Sequence, residues 1–207
     1  MTRVDFSQYS NREGHPEGYV YGRSFLWRVL WHYVSALVFE SALVPFYGIK
    51  VKLLRWFGAT VGEHVEIKPG VRIKYPWKLT LGDHVWLGQD LWIDNINEVR
   101  IGSHVLLSQG AHLSCGAHDW SDPGFGGITR PITVEDGAWI AAFVKIALGV
   151  TVGEEAIALI GAVVTHDLEP RGIYQGNPAV KISERKIRDY VGPKREEAPA
   201  PAAALAG

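Results

Sequence analysis

Between Val61 and Val164 aliphatic residues return every six positions, and this period decides what the chain can fold into. The first run is Val61, Ile67, Ile73 and Leu79; the second starts two residues on, at Leu81, and continues through Leu87, Ile93 and Val99. Ile101, Leu107 and Leu113 follow, and after an interruption the beat resumes at Val134, Ile140, Ile146, Val152, Ala158 and Val164. Four residues past most leaders stands another apolar or small residue, such as Val65, Val85, Val105, Ala138 or Ala156. A period of six is neither the 3.6 of an amphipathic helix nor the 2 of a half-buried strand. It fits a coil in which each hexad supplies one short strand and one turn, so that three hexads close a triangle. Successive turns then stack as parallel strands about 4.8 Å apart, each burying its neighbour's face. The expected fold class is an all-β solenoid.

His64, His84 and His104 recur at 20-residue spacing in "GEHV", "GDHV" and "GSHV", and should stack at one corner of the coil. Such a column could bind metal. The simpler reading is a turn position, since His tolerates the left-handed backbone of a tight corner. Gly137 occupies the same slot in "EDGA".

The flanks differ from the repeat. An N-terminal segment over 1–58 with an apolar helix precedes the coil, expected over 59–182, and a C-terminal extension over 183–207 follows, with a short helix and an Ala/Pro-rich tail. A net charge of −1 gives no reason to expect nucleic acid as a partner. A single Cys excludes a disulfide framework. The first residues carry no apolar leader core, so the expected location is cytoplasmic. The stretch "SFLWRVLWHYVSALVFESALVPF", 24–46, is apolar enough to tempt a membrane-spanning reading, but Arg28, His32 and Glu40 fall inside it. Trp27, Leu30, Trp31, Val34, Leu37 and Val38 recur at helical spacing, which predicts a helix with one broad buried face. The alternative is a helix lying on a membrane surface.

Several segments together resemble a known family: "GDHVWLGQDLWIDN" (82–95), "SQGAHLSCGAHDWSDP" (108–123), "RPITVEDGAWIAA" (130–142), "GVTVGEEA" (149–156), "VVTHD" (163–167) and "GNPAVKI" (176–182). They resemble the hexapeptide-repeat acyltransferases, and among these the acetyltransferases of exopolysaccharide (colanic-acid type) clusters, relatives of galactoside and maltose O-acetyltransferases. The likeness covers roughly 45–182. It implies a left-handed parallel β-helix, a homotrimer, acetyl-CoA as co-substrate in the groove between adjacent coils, a sugar acceptor and no metal requirement. It also implies that the histidine opening the excursion, His118, is the catalytic base, with 119–131 as the excursion loop. By the same resemblance Trp139 and Ala142 lie beside the pantetheine arm, Gly161 and Ala162 on the next coil, and Thr165 and His166 near the adenine, with Lys181 meeting a phosphate. The chain departs from the family pattern at Leu148, Leu159, Ile160 and His166.

Acyl transfer from a thioester to a hydroxyl needs a base that takes the hydroxyl proton during attack, and histidine is suited to that at neutral pH. Backbone amides at the interruption, where strand pairing is expected to stop, could serve the developing oxyanion. Three acids are candidates to orient His118: the adjacent Asp119, Glu98 one coil below by the 20-residue count, and Asp122 in the loop. His112 should lie one face away. Asp94 and Asn95, 20 residues before Ser114 and Cys115, could hold sugar hydroxyls, or else form a hydrated turn. Trp86 and Trp92 point outward, toward a sugar, a subunit interface or the N-terminal helix. Cys115 offers a rival route through an acyl-cysteine. Two other functions stand beside the O-acetyltransferase: transfer to the amine of an amino sugar, and a non-catalytic or metal-binding scaffold.

Overall fold

A computed structural model describes residues 20–188; the expectations for the extreme N-terminus (1–19) and for the tail from 189 on lie outside the described residues. The hexads form a parallel solenoid with three faces. The first carries Thr60–Val61, Leu79–Leu81, Val99–Ile101, Ile132–Val134 and Thr151–Val152 in that spatial order. The second holds Glu66–Ile67, Trp86–Leu87, Leu106–Leu107, Trp139–Ile140 and Ile157–Ala158, and the third holds Arg72–Ile73, Trp92–Asp94, His112–Ser114, Lys145–Ile146 and Val163–Val164. Nearly every leader is buried, from Ile67, Leu87 and Leu107 on one face to Ile93 and Leu113 on the next. The stacking follows from the two-residue strands. Nearly all have one side chain inside and one turned outward, so only register with the coil above can bury the leader.

Two corners are alike in every turn. His64, His84 and His104 have φ of 56°, 55° and 58°, with Gly137, Glu155 and Arg171 continuing the column at 69°, 56° and 61°. Their imidazoles stack at centroid distances of 4.7 and 4.9 Å. Among the described residues no group of three or more His, Cys, Asp or Glu is placed to hold a metal ion. The third corner, between the third and first faces, is irregular. There the two-residue slips of the sequence become a 3-10 turn at Pro76–Lys78 and an extra step at Ile96 and Asn97, and there the interruption leaves the coil.

The N-terminal segment closes the open end of the coil. Helix α1 (Phe25–Val34) runs into a π-turn (Ser35–Phe39), and a second helix, α2 (Tyr47–Trp56), follows. This corrects the single helix expected over 24–46. Across the π-turn Trp31, Ser35 and Phe39 face inward, while Leu30 and Leu37, expected on the buried face, are 41% and 68% exposed. The first turn has no coil below it, so its free backbone groups need other partners. Trp31 Nε1 donates to the Ile73 carbonyl at 2.9 Å, and the Gly70 amide donates to the Phe39 carbonyl at 2.9 Å. Lys50, fully buried, donates to the carbonyls of Ile67 and Lys68 at 3.4 and 3.3 Å. Arg55 serves Val61 and Gly62. At the far end Gly172–Gln175 adds to the second face and Val180–Glu184 pairs antiparallel with it, so a strand stands where a short C-terminal helix was expected to begin. No helix among the described residues is long and apolar enough to cross a membrane.

Candidate active site

The chain leaves the coil at Cys115 and forms a hairpin. Gly116–His118 pairs antiparallel with Gly127–Thr129, setting His118 opposite Gly127. The Arg130 amide donates to the Cys115 carbonyl at 3.0 Å, and Ile132 rejoins the first face opposite Val99. Two expectations change with this. Strand pairing does not stop at the break but switches from parallel to antiparallel, and beyond it the Asp119 amide donates to the Gly126 carbonyl at 2.7 Å. Glu98 does not lie under His118. The 20-residue register holds as far as Asp94 opposite Ser114, then the inserted hairpin ends it. The Glu98 carbonyl instead accepts from the Ile132 amide at 3.0 Å, and its carboxylate pairs with Arg100.

His118 is held by the backbone of the hairpin tip. Its Nδ1 lies 3.1 Å from the Phe125 carbonyl oxygen, and its ring stacks on the Phe125 ring at 4.5 Å with 10° between planes. A carbonyl oxygen only accepts, so Nδ1 carries the hydrogen and the lone pair of the neutral ring sits on Nε2. Phe125 adopts a φ of 49° in a turn built by Asp122. One Asp122 oxygen accepts from the Gly124 amide at 2.9 Å and the other from the Gly126 amide at 3.0 Å. A side chain at Gly126 would press on that carboxylate, since its Cβ would come within 2.9 Å of Oδ2. Asp119 is turned to Ser121, accepting from its hydroxyl and amide at 2.5 and 2.9 Å. Those bonds hold its carboxyl below the usual carboxylate range. The sequence carried the signal for Phe125 only as an aromatic residue between two glycines, and nothing in the spacing points to its carbonyl.

The other candidates divide by corner. Asn95 is fully buried, its amide accepting from the Tyr75 N–H at 3.0 Å and donating to the Tyr75 carbonyl at 2.6 Å. It locks the slip of the coil and is not placed to meet a sugar. Asp94 pairs with Lys74 at 2.9 Å, and Trp92 stacks on His112 at 4.3 Å with 5° between planes. Burial lowers the pKa of His112, with nearby Asp94 opposing the shift and Lys145 and Arg72 adding to it. Cys115 is fully buried and its thiol is pushed up to about 12, mainly by burial, so it holds essentially no thiolate at neutral pH.

Ala142, Gly161 and Ala162 meet at the corner between the second and third faces, where the Gly161 amide donates to the Ala142 carbonyl at 2.9 Å. Both alanines are buried, so only backbone can be offered there. At Gly161, φ is 70° and an added Cβ would meet nothing within 4 Å, leaving an open surface flanked by exposed Phe143 and Ile160. Trp139 lies on the second face with its Nε1 on the Ser108 hydroxyl at 3.1 Å. Thr165 and His166 hydrogen-bond to each other at 3.0 Å just past the third face, at the corner that also carries the hairpin. Lys181 sits between Glu169 and Glu184 at 2.8 and 3.1 Å, so an incoming phosphate would have to compete for it.

The fold and site together define a parallel β-solenoid whose coil opens into a hairpin with His118 held at its tip. No protein-family model matches the chain. It is 39% identical over 156 residues to WcaF of Escherichia coli K12, named as a colanic acid biosynthesis acetyltransferase, spanning 75% of this chain and 86% of that one. The galactoside O-acetyltransferase of Escherichia coli K12 is 30% identical over 144 residues, spanning 66% of this chain and 69% of the relative. A solved galactoside acetyltransferase in complex with coenzyme A superposes with a TM-score of 0.70 at 25% identity, covering 80% of this chain and 87% of that one. The chain belongs to the hexapeptide-repeat acetyltransferases and folds as their left-handed β-helix.

Proposed function

We propose that this enzyme transfers an acetyl group from acetyl-CoA to a hydroxyl of a saccharide used in polysaccharide synthesis, with His118 as the base. Nε2 takes the hydroxyl proton as the oxygen attacks the thioester carbonyl; the C–S bond then breaks, and the proton passes from Nε2 to the departing sulfur. The observation that carries the reading is the Nδ1 contact with the Phe125 carbonyl, which leaves the basic lone pair on Nε2. The coenzyme A bound by the galactoside acetyltransferase and the names of both relatives support the donor and the sugar class.

A homotrimer in the cytoplasm completes the reading. Trp86, Leu106 and Trp139 form an outward apolar column on the second face, 38%, 39% and 39% exposed, suited to burial between copies. Ala142, Gly161 and Ala162 at one corner and Thr165 and His166 at another lie on different corners of one chain, which suits a groove shared by neighbouring subunits. On α1 and the π-turn after it, Leu26, Leu30, Tyr33 and Leu37 form an exposed apolar stripe that suits an acceptor linked to lipid at a membrane face. The test is acetyl-CoA turnover by thiol release with a sugar panel. Galactose-type acceptors should stimulate it, and His118→Ala should remove on the order of 10² or more of the rate. Equal rates in wild type and variant would refute the base, and stimulation by galactosamine alone would move transfer to an amine.

A further inference from the structure

The charged residues that make 24–46 unfit to span a bilayer share one destination. Arg28, His32 and Glu40 form one wall of a cavity of ≈ 390 Å³ between α1 and the third face, opposite Arg72, Lys74 and Trp92. Of its two acids, Asp94 is paired with Lys74 at 2.9 Å and Glu40 accepts from the Ser35 hydroxyl at 3.0 Å, so Arg28 and Arg72 outweigh the one carboxylate left without a cation among the described residues. Neither Arg28 nor Arg72 makes an ion pair among the described residues. Each guanidinium lies across an aromatic face, Arg28 over Tyr21 at 3.6 Å and Arg72 over Trp92 at 4.7 Å. Stacking fixes the plane of the fork and leaves its in-plane N–H groups to donate. Arg28 Nε is buried with no hydrogen-bond partner among the described residues, a costly state that an anionic ligand would relieve. Trp92 stacks on His112, and Asp94 opposes Ser114, so the cavity belongs to the strands that lead into the catalytic hairpin.

We propose that this cavity binds the anionic group of a charged saccharide, a phosphate or a carboxylate, gripped by Arg28 and Arg72 with the sugar ring against Trp92. The proposal rests on the saccharide-acetylation reading and names the class of acceptor it would take. Two guanidinium forks match the oxygens of either group, and a neutral sugar would leave both unspent.

Calorimetry on the full chain carrying His118→Ala reads binding without turnover, using galactose, galactose 1-phosphate, glucuronic acid and inorganic phosphate as probes. At least one charged sugar should bind roughly tenfold or more tightly than galactose, and which one does so names the anion. Inorganic phosphate should bind more weakly than that sugar. Arg28→Gln and Arg72→Gln should each erase the preference and Arg72→Lys restore part of it, while Lys52→Gln on the exposed side of α2 should change nothing. Equal binding of galactose and both charged sugars overturns the proposal without recourse to any variant. So does inorganic phosphate binding as tightly as the sugars, or a preference that survives in folded Arg28→Gln and Arg72→Gln proteins. Turnover of wild type with neutral sugars distinguishes the two readings: the transferase can stand while the charged acceptor falls. Tight binding with no turnover on any acceptor would show the reverse.

Discussion

Asp122 never needs to touch a substrate to matter. Replacing it with Ala removes the two acceptors that hold the Gly124 and Gly126 amides at 2.9 and 3.0 Å, and with them the turn that aims the Phe125 carbonyl at His118. Without that carbonyl the ring is free to exchange tautomers and to turn, so part of the population presents an N–H where the base should be. The contact is a neutral hydrogen bond, contributing about 0.5–1.5 kcal/mol, which corresponds to a fall in kcat of roughly two- to tenfold. His118→Ala should cost on the order of 10² to 10⁴ by comparison. KM for acetyl-CoA should stay put, and Asp122→Asn, which keeps one carbonyl acceptor, should fall in between. A purely structural role would not move the tautomer. Nitrogen-15 spectra of histidine-labelled protein should therefore show His118 with Nδ1–H in wild type and a mixture in Asp122→Ala. If Asp122→Ala keeps wild-type kcat and a pure Nδ1–H ring, or loses as much as His118→Ala, the reasoning fails.

Three further expectations follow from the same contacts. Cys115→Ala should keep kcat within about twofold, and the wild-type thiol should react with Ellman's reagent only on unfolding, because it is buried and pushed up to about 12; fast labelling of the native enzyme would contradict this. Lys50→Met should leave the Ile67 and Lys68 carbonyls without their donor, costing about 1–3 kcal/mol and lowering the thermal midpoint by roughly 2–4 °C per kcal/mol; an unchanged midpoint would mean that water takes over the cap. His112 has a lowered pKa when folded, so the unfolded chain binds the extra proton first. The stability it contributes is complete above about pH 6.5 and drains as pH falls toward the folded value. Denaturant titrations of His112→Gln should therefore lose part of the acid-side slope, and an identical slope would sink the assignment.

The coil was legible because its rule is local. Each leader needs only its neighbours six residues away and one turn above to be buried, and Ile67, Leu87 and Leu107 obey it from one turn to the next. The histidine corner was legible for the same reason, since a left-handed turn selects residue types directly. What escaped were places where position depends on a break in that rule. The π-turn at Ser35–Phe39, closed by the Glu40 amide on the Ser35 carbonyl at 3.0 Å, keeps Trp31, Ser35 and Phe39 inward at intervals of four, which a uniform 3.6 period does not show. Glu98 was misplaced because a 20-residue count was carried across an insertion that had ended its validity.

Those failures share a cause, and that bears on where chemistry can reside in a solenoid. In the regular turns the inward side chains are committed to the core, and a mutation there that served a substrate would cost packing at once. The corner between the third and first faces is released from this constraint most fully. It takes up Pro76–Lys78, then the Asn95 lock on Tyr75, then the whole hairpin that aims His118. Arg28 makes the parallel case in the cap: a charge that lowers the fitness of an apolar helix, retained on the wall of a cavity. A residue that breaks a strong local rule and is then given a defined place by the fold is the one whose removal should change function before it changes stability. On that ground Arg28→Gln should weaken acceptor binding while leaving the thermal midpoint within about 2 °C, whereas Lys50→Met, which breaks no binding contact, should do the opposite.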